Sequence, residues 1–402
     1  MTDTHAPADG VRQRNLSRLL RLVHREGPLS RAALTEMTGL NRSTIADLVV
    51  ELVRLELVAE QAPATGGRVG RPSPVVAASP DVVAIAANPE VDALEIAAVC
   101  LRGTVRTRVR IELDHLATPE EIALLLADQV AAWRSDALAG ARIVGVGLAV
   151  PGLVRTGDGL VRTAPHLKWT DAPVRDLVAE ATGLATTVGN DASLGVIAEH
   201  LFGAARGIDD VVYLNGGASG IGGGLIVQGI PVGGAGGYAG EFGQNRPGIA
   251  TVTDRRAGEG VLEDEVSRAR LLSVAGLASA DEPTLAAVLG ASTAPSVTEE
   301  VARQRRILAT ALANAVNVLN PAVVVLGGFL ATLAAQDIDG LLQLVRAQAM
   351  PACAEDVEIR PALLAEDRLL VGAAEAAFEP LLRDPSPTTA GGEPVRVAAQ
   401  AE

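Results

Sequence analysis

Apolar residues set a helical rhythm near the start of the chain. Leu16, Leu19, Leu20 and Val23 recur at i, i+3, i+4 and i+7, which predicts a helix over 12–26 with one buried face. Pro28 breaks it, and Ser30 is placed to cap a second short helix holding Ala33, Leu34 and Met37 inward. Gly39-Leu40-Asn41 supplies a tight turn before a third helix, whose inward residues are Ile45, Leu48, Val49 and Leu52. Leu57-Val58 and Val75-Val76-Ala77 then read as a short strand pair joined by a loop, Gly66-Gly67-Arg68-Val69-Gly70-Arg71-Pro72. Residues 1–10 show no such rhythm and are expected to be disordered.

Three short helices followed by a β-wing over 11–79 make the pattern of an α+β winged helix-turn-helix. In such a module the third helix enters the major groove of duplex DNA. That assigns Arg42, Ser43, Thr44 and Asp47, on its outer first two turns, to the DNA-facing surface. Glycines let the wing loop approach phosphates closely, and Arg68 and Arg71 suit a narrow minor groove. The alternative is a three-helix protein-interaction module with a flexible basic linker. Asp47 and Glu51 count against tight nonspecific DNA affinity.

The pattern changes after residue 80 to alternating strands and helices. Strands are predicted at 82–87, 94–101, 105–113, 143–150, 186–188, 211–214, 225–227 and 323–326, and helices at 119–133, 174–182 and 303–319. Such alternation implies an α/β domain, and its length implies two lobes. The stretch 384–402 is polar and proline-rich, so a disordered tail is expected.

Charge sharpens the division. The chain of 402 residues has a formal net charge of −14, yet residues 11–79 hold ten arginines against six acids. A cationic head on an acidic body suits a protein that grips DNA through the head alone, with affinity that falls as salt is added. The two cysteines, Cys100 and Cys353, supply neither a disulfide framework nor a metal cluster. No apolar run is long enough to span a bilayer and no signal region opens the chain, so no membrane partner and a cytoplasmic location are expected.

Several glycine and acid motifs stand in a fixed order: Gly145-Val146-Gly147-Leu148-Ala149-Val150-Pro151-Gly152-Leu153-Val154, Asn190-Asp191-Ala192-Ser193 with Glu199 and Gly203, Ser219-Gly220-Ile221-Gly222-Gly223-Gly224, Gly237-Tyr238-Ala239-Gly240-Glu241-Phe242-Gly243, and Asn320-Pro321 with Leu326-Gly327-Gly328. Together they resemble the ROK family (repressors, open reading frames and sugar kinases). The resemblance implies an actin-like (ribonuclease H-like) two-lobed sugar-kinase fold over 80–383, preceded by the winged helix-turn-helix. The first lobe would cover about 80–190 plus the C-terminal helix, and the second about 191–365. It also implies a ligand site of Asn190, Asp191, Glu241, Gln244 and Glu263. Asp191 matches the family's catalytic base, the carboxylate that takes the proton of the attacking sugar hydroxyl. Read on its own, Asn190-Asp191 is equally a strand-end turn with an Asx cap. Gly220, Gly222 and Gly223, like Gly327 and Gly328, match nucleotide-side loops; ordinary tight turns use the same residues.

Departures from the family pattern argue against catalysis. Its Asp-x-Gly-Gly-Thr phosphate loop is replaced by Ala86-Ala87-Asn88-Pro89-Glu90-Val91-Asp92, which lacks the glycines, loses a donor at Pro89 and adds acid at Glu90. Phosphoryl transfer depends on positioning and charge neutralisation, so ATP and Mg²⁺ are not expected to bind productively. Gln244 stands where the family has a histidine. Asp254, Arg256 and Val261 occupy the cysteine positions of its zinc loop, so no metal and no other cofactor is expected. Salt bridges of Asp254, Arg255, Arg256 and Glu259 would then hold that loop. The expectation is a sugar-sensing transcriptional regulator, a repressor acting as a homodimer on operator DNA, with a sugar or sugar-derived effector. Two alternatives stay open: an ATP-dependent sugar kinase with a DNA-binding head, and a regulator answering to a non-sugar effector or a protein partner.

Overall fold

A computed structural model describes residues 6–61, 74–217, 220–249, 252–258 and 260–386. The chain divides into two compact units, residues 1–82 with 379–402, and residues 83–378.

The smaller unit opens with α1 (Ala6–Glu26), which begins within the stretch expected to be disordered. Pro7 is tolerated in the first turn because its missing N–H needs no partner there. Then come β1 (Leu29–Ser30), α2 (Arg31–Thr38), α3 (Arg42–Arg54), β2 (Val58–Gln61) and β3 (Val75–Ala78). β3 is the centre of a three-stranded antiparallel sheet, pairing Val76 with Leu29 and Ala78 with Val58. Ser30 Oγ accepts the Ala33 N–H at 3.1 Å and Asn41 Oδ1 accepts the Thr44 N–H at 2.8 Å, so both inner helices carry side-chain caps. Such a cap contributes about 1 kcal/mol. Gly39 ends α2 at φ +71, a conformation that favours glycine.

Leu16, Leu19, Leu20, Val23, Leu34, Ile45, Leu48, Val49 and Leu52 are buried together, but Met37 is 44 % exposed. Thr38 takes the inward place instead, its hydroxyl donating to the Leu34 carbonyl at 2.6 Å, which satisfies the polar group a core threonine would otherwise strand. The wing loop, with Arg68 and Arg71, lies outside the described residues, as does the tail from 387 onward and the first five residues. The unit also holds the end of the last helix. There Arg21 forks onto the Glu379 carboxylate at 2.9 and 2.8 Å, and Ser17 Oγ donates to the Leu382 carbonyl at 2.6 Å.

The larger unit is built on two five-stranded sheets. β4 (Val82–Pro89), β5 (Ala93–Cys100) and β6 (Val105–Glu112) form an antiparallel meander. After α4 (Pro119–Ser135), β7 (Arg142–Val150) joins that sheet. A small sheet follows, of β8 (Leu153–Val154), β9 (Val161–Ala164) and β10 (Trp169–Ala172). Then α5 (Val174–Thr182) leads to β11 (Thr186–Asn190), parallel to β7, for the order β11-β7-β4-β5-β6. Ile122, Leu126, Val130 and Val178 from α4 and α5 bury one face of this sheet.

α6 (Asp191–Phe202) starts the second half, followed by β12 (Val211–Gly217), β13 (Gly220–Val227) and β14 (Ile230–Pro231). α7 (Leu262–Glu265), α8 (Arg268–Ala275), α9 (Glu282–Ala291) and α10 (Pro295–Leu319) come next, and α10 begins two turns earlier than its apolar rhythm predicts. β15 (Val323–Gly328), α11 (Phe329–Ala335), α12 (Ile338–Arg346), α13 (Pro351–Ala354) and β16 (Glu358–Pro361) complete the sheet β14-β13-β12-β15-β16. α6 covers one face of it through Ala192 and Val196. α10 and α11 contribute to the cluster that holds Val212, Leu214, Val324 and Leu326. The final helix, α14 (Arg368–Arg383), lies against β7. A Cβ on Gly147 would stand 1.8 Å from the Ala373 carbonyl oxygen, so that glycine is set by helix contact, while one on Gly145 would stand 2.8 Å from the Ala185 carbonyl oxygen. No helix among the described residues is long and apolar enough to cross a membrane.

Candidate ligand site

A cleft of about 310 Å³ in the larger unit is lined by Gly152, Thr163 and His166 together with Asn190, Asp191, Asn215, Gly220, Glu241, Gln244 and Glu263. Each of the five residues expected to hold ligand therefore reaches one space, from segments up to 73 positions apart in a chain numbered as here. Asn190 ends β11 and caps α6, its Oδ1 accepting the Ser193 N–H at 2.9 Å. Its Nδ2 donates to the Gly152 carbonyl at 3.0 Å and to Asp191 Oδ1 at 3.2 Å. The Asx cap and the cleft-lining role thus coexist in one side chain, and the cap is what aims Asp191.

Asp191 Oδ1 also accepts its neighbour's N–H, from Ala192 at 2.8 Å. Removal from water pushes its carboxyl from 3.8 up to about 6, against the opposing pull of that N–H and of the Arg368 charge. Glu241 is raised as well, first by burial and then by the like charges of Asp191 and Glu263. Glu263 is fixed at both oxygens: Oε2 accepts the Ile221 N–H at 3.2 Å, and Oε1 accepts the Gln244 amide. The carboxylate fits only because Gly220 and Gly243 flank it, where an added Cβ would stand 2.4 and 2.6 Å from Oε2. Three acids and three amides, Asn190, Asn215 and Gln244, supply acceptors for hydroxyl donors, and the nearby Arg368 is bound to the Asn215 oxygen at 3.1 Å. A neutral polyol suits them; an anionic group placed there meets repulsion.

The glycine-rich segment is strand for most of its length, where a turn is expected. The hairpin strands run on to Gly217 and from Gly220, so Gly222 to Gly224 are strand residues, with Ser219 outside the described residues. Added Cβ atoms would meet Ala192 Cβ at 2.8 Å from Gly222, Phe242 Cδ2 at 2.4 Å from Gly223 and Val196 Cγ1 at 2.5 Å from Gly224. The glycines are there for the close docking of α6 and of the turn Phe242–Gln244. Gly327 and Gly328 end β15 and start α11; Gly328 sits at φ +58 with the Gly216 carbonyl against it, a strand-to-helix turn. Glu199 is structural, its fully buried carboxylate accepting the N–H groups of Ala204, Leu363 and Leu364.

At the expected phosphate-loop position, β4 continues through Asn88 and Pro89, which pair with Glu95 and Leu94 in a hairpin. Asn88 is buried and donates to Glu90 at 3.2 Å. Arg110 gathers Glu90 at 2.7 Å and Asp92 at 3.3 Å, so the acids of the hairpin are neutralised by the neighbouring strand.

Of the residues expected to hold the 254–259 segment by salt bridges, Asp254 does so with a partner from outside it. Asp254 pairs with Arg306 at 2.9 Å, and Glu265 with Arg303 at 2.9 Å, both arginines coming from α10. Glu259 lies outside the described residues. Sequence reasoning missed these α10 residues, along with Asn215 and His166 in the cleft. A buried arginine is invisible in sequence unless its distant acids are known.

In the smaller unit, Arg42, Ser43 and Asp47 are exposed and Thr44 is half-buried on the first two turns of α3. Ser43 Oγ donates to Asn41 Oδ1 at 2.7 Å, so the capping residue also orients the hydroxyl.

Residues 91–379 match the model of the ROK family. A xylose repressor of Bacillus subtilis (strain 168) is 30% identical over 238 residues, 58% of this chain and 60% of that protein. A xylose repressor of Caldicellulosiruptor bescii is 25% identical over 397 residues, 93% of this chain and 98% of that protein. The crystal structure of a ROK family transcriptional regulator, a homolog of the E. coli MLC protein, is similar with a TM-score of 0.73 at 22% identity, covering 92% of this chain and 98% of that one. The likeness extends through both units' share of the chain and concerns the fold.

Proposed function

The chain belongs to the ROK family, and from that membership we propose that it is a sugar-responsive transcriptional repressor. The observation that carries the reading is the convergence of Asn190, Asp191, Glu241, Gln244 and Glu263 on one cleft, in a chain that also presents a capped third helix with Arg42, Ser43 and Thr44 outward. The acid-rich lining favours a neutral sugar over a sugar phosphate, since a phosphate beside three carboxylates is repelled unless a cation intervenes. D-xylose is the first candidate because two relatives bear that sugar in their names.

Operator DNA is read by α3, with Arg42 and Asp47 facing base edges and phosphates, and by the wing arginines Arg68 and Arg71. A homodimer would present two such heads to a palindromic operator. The sugar shifts DNA affinity only by its differential affinity for two arrangements of the protein, and about 1–3 kcal/mol of coupling suffices for a response. No metal or nucleotide is needed in this scheme. The strand pairing of Asn88 and Pro89, with Arg110 bridged to Glu90 beyond them, supports a reading without a bound triphosphate.

Mobility shift of the full chain on its own promoter DNA, with D-xylose and D-glucose added in separate titrations, tests the proposal. Binding that is altered by one sugar supports it. Sugar-dependent ATP consumption in a coupled assay, lost in Asp191→Asn, would replace it with the kinase reading.

A further inference from the structure

We propose that a buried ion cluster centred on Arg303, in place of a metal, positions Glu263 in the ligand cleft. The inference rests on the reading of Glu263 as a sugar contact. The donor set excludes the family's zinc: of Asp254, Arg256 and Val261, only the first offers a metal-ligating side chain, and it is bound to Arg306. Among the described residues no group of three or more His, Cys, Asp or Glu is arranged to hold an ion.

Arg303 fills that role by geometry. It is 2 % exposed, between Glu265 at 0 % and Glu300 at 9 %. A guanidinium has five N–H donors, and here each has an acceptor. Nε donates to Glu300 Oε2 at 2.9 Å, and Nη2 to Glu300 Oε1 and the Glu265 carbonyl, each at 2.7 Å. Nη1 donates to Glu265 Oε2 at 2.9 Å and the Asp254 carbonyl at 2.7 Å. Glu265 in turn accepts the backbone N–H groups of Arg256 and Ala257 at 3.0 Å, and Glu300 accepts the Gln304 amide at 2.8 Å. One arginine therefore ties α10 to the 252–258 segment and to α7.

Glu263 is two residues from Glu265 on the four-residue α7, one side chain entering the cluster and the other the cleft. Leu262, immediately before Glu263, is fully buried, and its N–H donates to the Asn245 carbonyl at 2.8 Å, next to Gln244. A turn anchored at Glu265 and Leu262 leaves Glu263 little freedom, and a carboxylate held in place spends less of its binding energy on ordering.

The test uses the full chain and two variants, Arg303→Lys, which keeps the charge but has three donors, and the milder Glu300→Gln. Hydrogen exchange of the peptide containing Arg256 and Ala257 is compared with that of β15. Affinities for D-xylose and D-glucose are measured by calorimetry, before and after dialysis against a chelator. Exchange at 256–257 should quicken about tenfold or more while β15 is unchanged, and the affinity of whichever sugar binds should fall about tenfold, or 1.4 kcal/mol. Chelation should alter neither. Parental exchange rates at 256–257 in both variants, or a chelator that loosens that peptide in the parent, overturn the cluster's role. Faster exchange with an unchanged sugar affinity overturns its link to Glu263. Should neither sugar bind the parent, the sugar reading fails, and the exchange arm still decides whether the cluster orders the segment.

Discussion

Asp191 offers the sharpest test, because its burial has a sign that most carboxylates lack. Displacement of its pKa from 3.8 to about 6 means that the folded protein holds a proton the unfolded chain releases. Folding stability therefore falls as pH rises through that window, and the cost above it is about 3 kcal/mol. Asp191→Asn keeps an oxygen to accept from Ala192 and Asn190, and carries no charge to desolvate. The sugar-free variant should be more stable than the parent at pH 7.5 by up to about 3 kcal/mol, with the gain vanishing near pH 4. In a body of roughly 300 residues, an unfolding entropy of about 2.1 cal/mol/K per residue converts this to about 5 °C in Tm. Scanning calorimetry of both proteins between pH 4.5 and 8 reads it directly. A variant less stable than the parent at pH 7.5, or a difference that does not change with pH, refutes the argument. The same variant should lose sugar binding. In the parent, where sugar hydroxyls donate to the ionised carboxylate, affinity should strengthen about tenfold per pH unit below about 6 and level off above.

Other perturbations probe separate elements. Arg42→Ala should cost about 1–3 kcal/mol in operator affinity and relax specificity at one position, whereas Arg68→Ala with Arg71→Ala should lower the salt slope by about 2, both read by fluorescence anisotropy across salt concentrations. Parental behaviour in all of them would remove these arginines from the DNA contacts. Gly147→Ala forces a Cβ to within 1.8 Å of the Ala373 carbonyl oxygen, so strand or helix must move; a loss of about 3 kcal/mol or more in urea unfolding is expected, and an unchanged midpoint would contradict the contact.

How much the chain reveals in advance varies with the kind of contact. The head is readable because one face of each helix is buried and the cap Ser30 and the turn at Gly39–Asn41 are local. Met37 misleads, since hydrophobicity alone does not say that the next residue, Thr38, turns inward and satisfies its own hydroxyl. Asn190, Asp191, Glu241 and Glu263 can be named from motif order, but their meeting in one cleft is a property of the fold. Gly222 to Gly224 look like a loop because glycine is the usual turn residue; that Val196 and Phe242 demand the space is a tertiary fact. Arg303 gives least warning. Glu300 is three positions away, but its other acceptors lie 38 and 49 positions away, and a charged residue on a long helix reads as solvated until those partners are seen.

The glycine strand β13 also bears on how a ligand can enter. α6, which starts with the Asn190–Asp191 pair, sets Ala192 and Val196 directly against its glycines, and the Ile221 N–H of the same strand holds Glu263. One wall of the cleft is thus rigid before any sugar arrives, and little ordering entropy is left to lose there. Gly152, Thr163 and His166 complete the lining from segments next to the short β8 and β9, and the Gly152 carbonyl is tied to Asn190. Selectivity among hydroxyl patterns should accordingly rest with side chains whose positions are set by that packed strand, Asp191 and Glu263 above all.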